Sequence, residues 1–395
     1  MTIARIQQAL QAACLDGWLF YDFRHSDPLA ASILGLPRDA HRSRRWFYFL
    51  PATGEPTKIV HAIEAGALDL LPGTARIYLP WEQLHRHLAE TLAGRRRVAM
   101  QYSPDNNIPY ISRVDAGTVE LIRGLGVEVV SSADLVQEFE ARLSPEQEQG
   151  HKTAGDALGA AVHDAFAEIG RRLKAGKPTN EYEIQQYLWQ KFDEAGLTAD
   201  HPPIVAVDAH SADPHFGPSP ESASRIEPGV FVLIDAWCKW KQPGSVYADI
   251  TWVGWTGPSV PAKQQQVFEI VRNARDAAVE FVQQGLAAGR EVRGCDVDNA
   301  CRNVIRAAGY GERFIHRTGH SVHENVHGNG ANIDNLETRD ERRLIPRTVF
   351  TIEPGIYLPG EFGVRSELNV FVADERTAVV TGLPPQREII RIPVA

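Results

Sequence analysis

The sequence predicts an α/β (α+β) protein of two domains: a small mixed α/β domain over residues 1–143 and a larger domain over 144–395. Three observations predict it. The chain has 395 residues, long for a single hydrophobic core. Its first 130 or so residues alternate strand-like and helix-like stretches. Its last 170 contain two acid-bearing hairpins of matched design, which implies two related half-domains.

Taken in order, residues 2–14 form an amphipathic helix pattern and Gly17–Tyr21 (GWLFY) a strand. RRWFYFL and TKIVHAI flank the turn residues PATGEP, which predicts a hairpin over 44–62. VAMQYSP (98–104) and VEVVSSA (127–133) are further strands, and helices are expected near 82–93 and 112–123. The charged stretch 132–149 connects the domains, and Ser144-Pro145 starts a long helix running to about Lys174. AGKPTNEYE then supplies a stop, with Thr179 or Asn180 as N-cap of the next helix. Strands near 203–207 and 230–254, helices near 260–285 and 295–308, and strands near 348–358 and 363–380 complete the chain.

Composition narrows the function. With 43% hydrophobic and 23% charged residues this is an ordinary globular composition. A formal charge of −9 leaves no basic surplus to neutralise nucleic-acid phosphates or an anionic membrane. No run of about 18 apolar residues exists, so no membrane span is expected. The four cysteines (Cys14, Cys238, Cys295, Cys301) are scattered and the N-terminal stretch lacks a signal-type apolar core, so a reduced, cytoplasmic protein is expected.

The informative residues are acids inside apolar strands. FVLIDAWCKWKQPGSVYADITWVG places Asp235 and Asp249 on either side of the turn signal Lys241–Gly244, with the midpoint at Gln242. A hairpin centred there sets the two aspartates directly opposite, with Cβ atoms about 4.5–5.5 Å apart. VFTIEPGIYLPGEFGVRSELNVFV repeats the design: Glu353 and Glu367 share the same separation, with Gly360 at the midpoint. Like charges so close repel unless a proton or cation lies between them, and an unpaired buried carboxylate is costly. Singly, each reads equally as a surface-facing strand acid. Four in apolar runs at matched spacing suit two divalent cations, by charge count. Between the hairpins, FIHRTGHSVHENVHGNG carries four histidines between His316 and His327. One imidazole beside carboxylates favours a transition metal over magnesium or calcium; solvated loop histidines are the bland reading.

The order Asp, Asp, His, Glu, Glu resembles the pita-bread metallopeptidases (M24), which include methionine aminopeptidase, aminopeptidase P and prolidase. HRTGH (316–320), TIEPGIY (351–357), GVRSE (363–367) and PIVAVDAHSADPHF (203–216) resemble its Xaa-Pro-cleaving branch, and most of all a bacterial Xaa-Pro dipeptidase. The resemblance implies a C-terminal pita-bread domain with pseudo-twofold half-domains. It implies that Asp235 and Asp249 bind one metal and His320 and Glu353 the other, with Asp249 and Glu367 bridging. It further implies that His215 and His327 contact the scissile peptide, that Arg365 binds a substrate carboxylate, and that Tyr357 belongs to the same site. For Arg365 the alternative is that it only holds the metal-binding carboxylates in place. Two divalent ions about 3.5–4 Å apart yield hydroxide from a shared water near neutral pH, with Glu353 as general base; manganese is expected first, cobalt or zinc next.

The implied substrate is an Xaa-Pro dipeptide and the implied assembly a homodimer, whose N-terminal domain serves dimerisation. The basic segment Leu36–Trp46 is either a loop that reaches the partner's active site or a solvated loop. The alternatives are an aminopeptidase P acting on longer peptides and a metal-free binding protein, which loss of ligands would signal; all five ligands are present. Departures from the family pattern are His201 where many prolidases carry a tyrosine, His323 in place of a small residue, and a hairpin about three residues longer. That hairpin carries Trp237 and Trp240, which either line the pocket or cover the hairpin.

Overall fold

The computed structural model describes residues 3–37 and 39–394. The chain divides into two compact units, Met1–Glu140 and Ala141–Ala395.

The first unit is built on six strands: β1 (Gly17–Asp22), β2 (Trp46–Pro51), β3 (Thr57–His61), β4 (Thr74–Tyr78), β5 (Arg97–Met100) and β6 (Glu128–Ser131), in the order β4-β3-β2-β1-β5-β6. The β1–β2 and β2–β3 pairs are antiparallel and the others parallel. Alternation along β1 assigns each side chain to a face. Trp18 and Phe20 pack with helices α1 (Ile3–Ala12), α2 (Pro28–Leu34) and α5 (Ala133–Glu140). Leu19 and Tyr21 pack with α3 (Trp81–Leu92) and α4 (Ala116–Gly124). Strand β4 was not foreseen. Its TARIY stretch is short and mostly exposed at the sheet edge, so it lacks the apolar run that marked its neighbours.

In the second unit, α6 (Pro145–Lys174) opens with a complete capping box between Ser144 and Gln147. Helix α7 (Glu181–Ala195) is capped by Asn180. Short strands β7 (Leu197–Thr198) and β8 (Ile204–Val207) precede the hairpin β9 (Phe231–Trp240) and β10 (Ala248–Trp255). Helices α8 (Ala262–Ala287) and α9 (Gly294–Ala307) follow, then β11 (Ser321–Val322), β12 (Val349–Ile352), β13 (Gly355–Leu358), β14 (Phe362–Arg365), β15 (Leu368–Asp374), β16 (Thr377–Thr381) and β17 (Ile390–Arg391). One sheet runs β17-β10-β9-β7, with β8 also paired to β9; the other runs β11-β12-β15-β16; β13 and β14 form their own ribbon.

Each half is thus a helix pair covering one face of a sheet. Val232, Ile234 and Ala236 of β9 pack with α6 and α7, while Ile352, Leu368 and Val370 pack with α8 and α9. The opposite face of β9, carrying Asp235 and Trp237, turns toward the other half. The halves are stitched where β10 meets β15. Asn369 Nδ2 donates to the Asp249 carbonyl (2.9 Å) and its Oδ1 accepts the Asp249 amide (3.0 Å), and the Glu367 amide donates to the Thr251 carbonyl (3.2 Å).

The expected direct opposition of Asp235 and Asp249 is corrected. Asp235 faces Thr251 and Asp249 faces Trp237. The hairpin centre falls at Pro243, one residue beyond Gln242, because left-handed Gly244 (φ 78°) closes the turn later. A one-residue shift of the centre moves every partner by two, so both acids stay on one face but sit diagonally. Among the described residues, no helix is long and apolar enough to cross a membrane.

Candidate metal centre

The second hairpin places its acids differently. Ile352 pairs with Leu368 and Gly355 with Arg365, so Glu353 and Glu367 stand opposite each other in the gap between the two ladders. Pro354 cannot donate to a ladder and marks the break. The Glu353 amide is instead satisfied by the Thr318 carbonyl (2.7 Å).

That contact brings in the segment carrying His320. A Cβ on Gly319 would stand 1.9 Å from the Thr351 carbonyl oxygen, so only glycine allows this close approach. Hydrogen bonds from the Thr351 amide to the His320 carbonyl (2.8 Å) and from the His320 amide to Thr351 Oγ1 (3.0 Å) complete it. Within the ring, Nδ1 lies 3.2 Å from the Ser321 carbonyl oxygen, which fixes the proton there and leaves Nε2 bare. Nε2 lies 3.3 Å from Glu353 Oε1 and 3.7 Å from Asp249 Oδ2. Asp249, His320 and Glu367 are all buried and offer ligand atoms within 4.8 Å of one another.

The electrostatics of this cluster call for a cation. Burial, then the Asp235 and Glu353 charges, push the Asp249 carboxyl well above its usual range. Burial followed by Asp249 does the same to Glu367, and burial above all raises Glu353 to about 7. Burial also drives His320 well below its ordinary value, so the ring is neutral. A bare imidazole nitrogen therefore faces carboxylate oxygens with no proton of its own to share. Asp249 Oδ1 is buried without any hydrogen-bond partner, a costly state unless something else is bound there. The donor set of nitrogen and oxygen atoms fits transition-series divalent ions.

Asp235 is held by Arg365, whose buried guanidinium makes three protein contacts: Nη2 to Asp235 Oδ2, Nη1 to the Tyr357 hydroxyl (2.8 Å) and Nε to Thr251 Oγ1 (3.1 Å). Tyr357 in turn donates to His316 Nε2 (2.7 Å), whose Nδ1 is committed to the Arg317 carbonyl. Burial first, with Arg365 behind it, lowers His316 to about 3, so it stays neutral and accepts. Thr251 Oγ1 also donates to Glu367 Oε2 (2.7 Å), and Thr351 Oγ1 to Glu353 Oε1 (3.1 Å). Sequence reasoning missed these threonines, His316 as a partner, and Asn369. A signal existed for the threonines: each lies two residues from an acid inside an apolar strand, hence on the acid's own face.

The remaining predicted residues lie around this centre or apart from it. His327 stands edge-on to His320 with ring centroids 4.4 Å apart. It reaches the surface, yet enough protein surrounds it that burial lowers its pKa. His215 is exposed, its amide bonded to Asp213 (3.0 Å). Trp237 is half-buried beside Asp249, whereas Trp240 turns away and donates to the Gly150 carbonyl and Thr153 of α6. The half-buried His323 contributes its carbonyl to the Tyr247 amide. In the 36–46 segment, the Ser43 and Arg44 amides are pinned by Glu64, and Arg38 lies outside the described residues.

Comparison with known proteins now adds the lineage. The model of metallopeptidase family M24 matches residues 149–374, and the chain belongs to that family. It is 34% identical over 199 residues to a Xaa-Pro dipeptidase of Lactobacillus helveticus, covering 50% of this chain and 47% of that one; the match thus spans about half the length of this curated relative. Among solved structures, dipeptidase PepE from Mycobacterium ulcerans superposes with a TM-score of 0.67 at 26% identity, covering 99% of this chain and 97% of that one. A prolidase from Thermococcus sibiricus shares the fold over 98% of each chain, with a TM-score of 0.61 at 23% identity. The fold is accordingly a mixed α/β N-terminal domain followed by the pita-bread domain.

Proposed function

We propose that the chain hydrolyses the Xaa-Pro bond of dipeptides with the help of two divalent cations. The observation that carries this reading is the bare His320 Nε2 set against Glu353 and Asp249, with Asp249 Oδ1 unpartnered. Family membership and the similarity to a Xaa-Pro dipeptidase support it. Asp235 and Asp249 would hold one cation and His320 and Glu353 the other, with Asp249 and Glu367 shared. Manganese is the first candidate, and cobalt and zinc fit the same donors. When bound, the cations supply Lewis-acid activation of a water and of the peptide carbonyl.

The protein's own groups do the rest. Glu353, beside His320, takes a proton from the attacking water and returns it to the proline nitrogen as general base. That nitrogen carries no hydrogen in the substrate, so cleavage depends on this delivery. His327, beside His320, donates to the oxygen on which charge develops. His215, on its exposed loop, orients the peptide. Arg365 has a protein partner on each of its three nitrogens, which supports a positioning role that aims Asp235 over capture of a substrate carboxylate. Homodimerisation, implied by the resemblance, belongs to the same proposal.

The test is hydrolysis of Ala-Pro and Ala-Pro-Ala by metal-stripped protein before and after adding Mn²⁺, Co²⁺ or Zn²⁺. Metal-restored cleavage of the dipeptide alone is the expected result. Preferential cleavage of the tripeptide would assign an aminopeptidase P instead, and cleavage of neither with two cations bound would overturn the reading.

A further inference from the structure

One element beside the site has no part in the reaction outlined above. The β7–β9 pairing sets Thr198 against Lys239; continued two residues, it brings Asp200 beside Trp237. The side chains meet there, Trp237 Nε1 donating to Asp200 Oδ1 at 2.7 Å. Trp237 is itself the cross-strand partner of Asp249. Asp200, just past the end of β7, with Trp237 of β9 and Asp249 of β10, thus forms a row running from solvent toward the candidate metal centre. Trp237 packs in the same small apolar cluster as Tyr247 and Val326, the residue before His327. Asp200 therefore lies beside His327, and its negative charge works against the lowering of His327 by burial and Arg317.

The carboxylate is partly exposed: its Oδ1 accepts the Trp237 indole and the His201 amide (3.1 Å), and its Oδ2 faces the His201 ring. Its side chain is 44% exposed, and His201, itself 77% exposed, lies 3.4 Å from it. The nearby lysine is engaged elsewhere: Lys239 donates to the Glu324 carbonyl and lies over the Tyr247 ring. The indole fixes one carboxylate oxygen and adds a flat apolar wall, a pairing suited to a long aliphatic side chain ending in a cation.

We infer that Asp200, steadied by Trp237, selects substrates whose residue before proline carries a positive side chain, lysine or arginine. This rests on the Xaa-Pro reading, under which that residue alone varies among the substrates. A partly exposed ion pair favours Lys-Pro over Leu-Pro by about fivefold in kcat/KM.

The experiment compares Lys-Pro, Leu-Pro and Glu-Pro with manganese-loaded protein, in the unaltered chain and in Asp200→Asn and Asp200→Glu. The amide of Asp200→Asn keeps an acceptor for the indole, so loss of charge is separated from loss of packing. The expected result is a Lys-Pro to Leu-Pro ratio near five that collapses toward one in Asp200→Asn and is largely kept in Asp200→Glu, with Glu-Pro the poorest substrate. Equal use of Lys-Pro and Leu-Pro by the unaltered protein would overturn the inference while leaving the dipeptidase reading standing. So would an equal loss on every dipeptide in Asp200→Asn, which would assign the carboxylate to the common α-ammonium. Should no dipeptide be cleaved, the dipeptidase reading fails, and the same three peptides titrated by calorimetry decide whether Asp200 selects a cation.

Discussion

The two acid-bearing hairpins share a spacing but not a construction. In β9–β10 the acids lie within unbroken strands, and the ladder sets which face they share, so Asp235 and Asp249 end up diagonal. In the second hairpin the acids lie where the ladder is interrupted, and Glu353 and Glu367 face each other across the gap. The difference shows in the support each acid needs. Asp235 is aimed by Arg365 from the opposite half, whereas Glu353 is fixed locally by Thr318 and Thr351. A carboxylate on a regular strand takes its direction from the pleat and needs an outside partner to correct it. A carboxylate at a break can be aimed by its own neighbours.

The sharpest way to break this comparison is to remove one acid from each hairpin. Asp249→Asn and Glu367→Gln are both expected to lower Ala-Pro turnover by more than about a hundredfold, beyond the effect usual for residues that only support a ligand. Each should also retain fewer than two metal ions per chain by elemental analysis; full metal content with full turnover would remove that acid from the centre.

Arg365→Met probes the asymmetry itself. Its loss should weaken manganese binding by about 10–100-fold, while the KM for Ala-Pro at saturating metal stays near that of the unaltered protein. A raised KM with unchanged metal affinity would instead assign Arg365 to the substrate's carboxylate.

The smallest effect concerns stability and pH. In the folded, metal-free chain Glu353 titrates at about 7, above its ordinary value of 4.5. Between those values the folded chain keeps a proton that the unfolded chain has released, so stability is full at the acid end and falls as pH rises through 7. Asp249 and Glu367, raised in the same direction, add to the trend. The buried histidines His316 and His320, lowered in the fold, pull the other way, so the Glu353 share is read by difference. In metal-free Glu353→Gln the change in melting temperature from pH 5 to 7.5 is expected to be about 3 °C more positive than in the unaltered chain. An unchanged pH dependence in Glu353→Gln would contradict the shift.

Much of this arrangement was legible in the sequence, where chemistry acts locally. Apolar alternation in GWLFY and RRWFYFL marked the central strands of the first sheet. Ser144-Pro145 marked the start of the longest helix, and Asn180 with Glu183 the start of the next. Turn residues located both hairpins. What escaped depended on distance. The register of β9–β10 turned on whether the hairpin closed around Gln242 or Pro243, and composition does not distinguish them. The triple engagement of Arg365, which joins Thr251, Tyr357 and Asp235 across 130 positions of sequence, exists only once both halves have folded. Asn369 gave no warning because an asparagine in LNVFV reads as a weak strand residue until its partner backbone is known.

That asparagine has a further consequence. By bonding both the amide and the carbonyl of Asp249, its carboxamide splices β10 to β15 as an additional peptide unit would. Whatever orders Asp249 also orders the strand that follows directly on Glu367. Asp249 and Glu367, the two acids shared between cations in the proposed reading, are therefore ordered together.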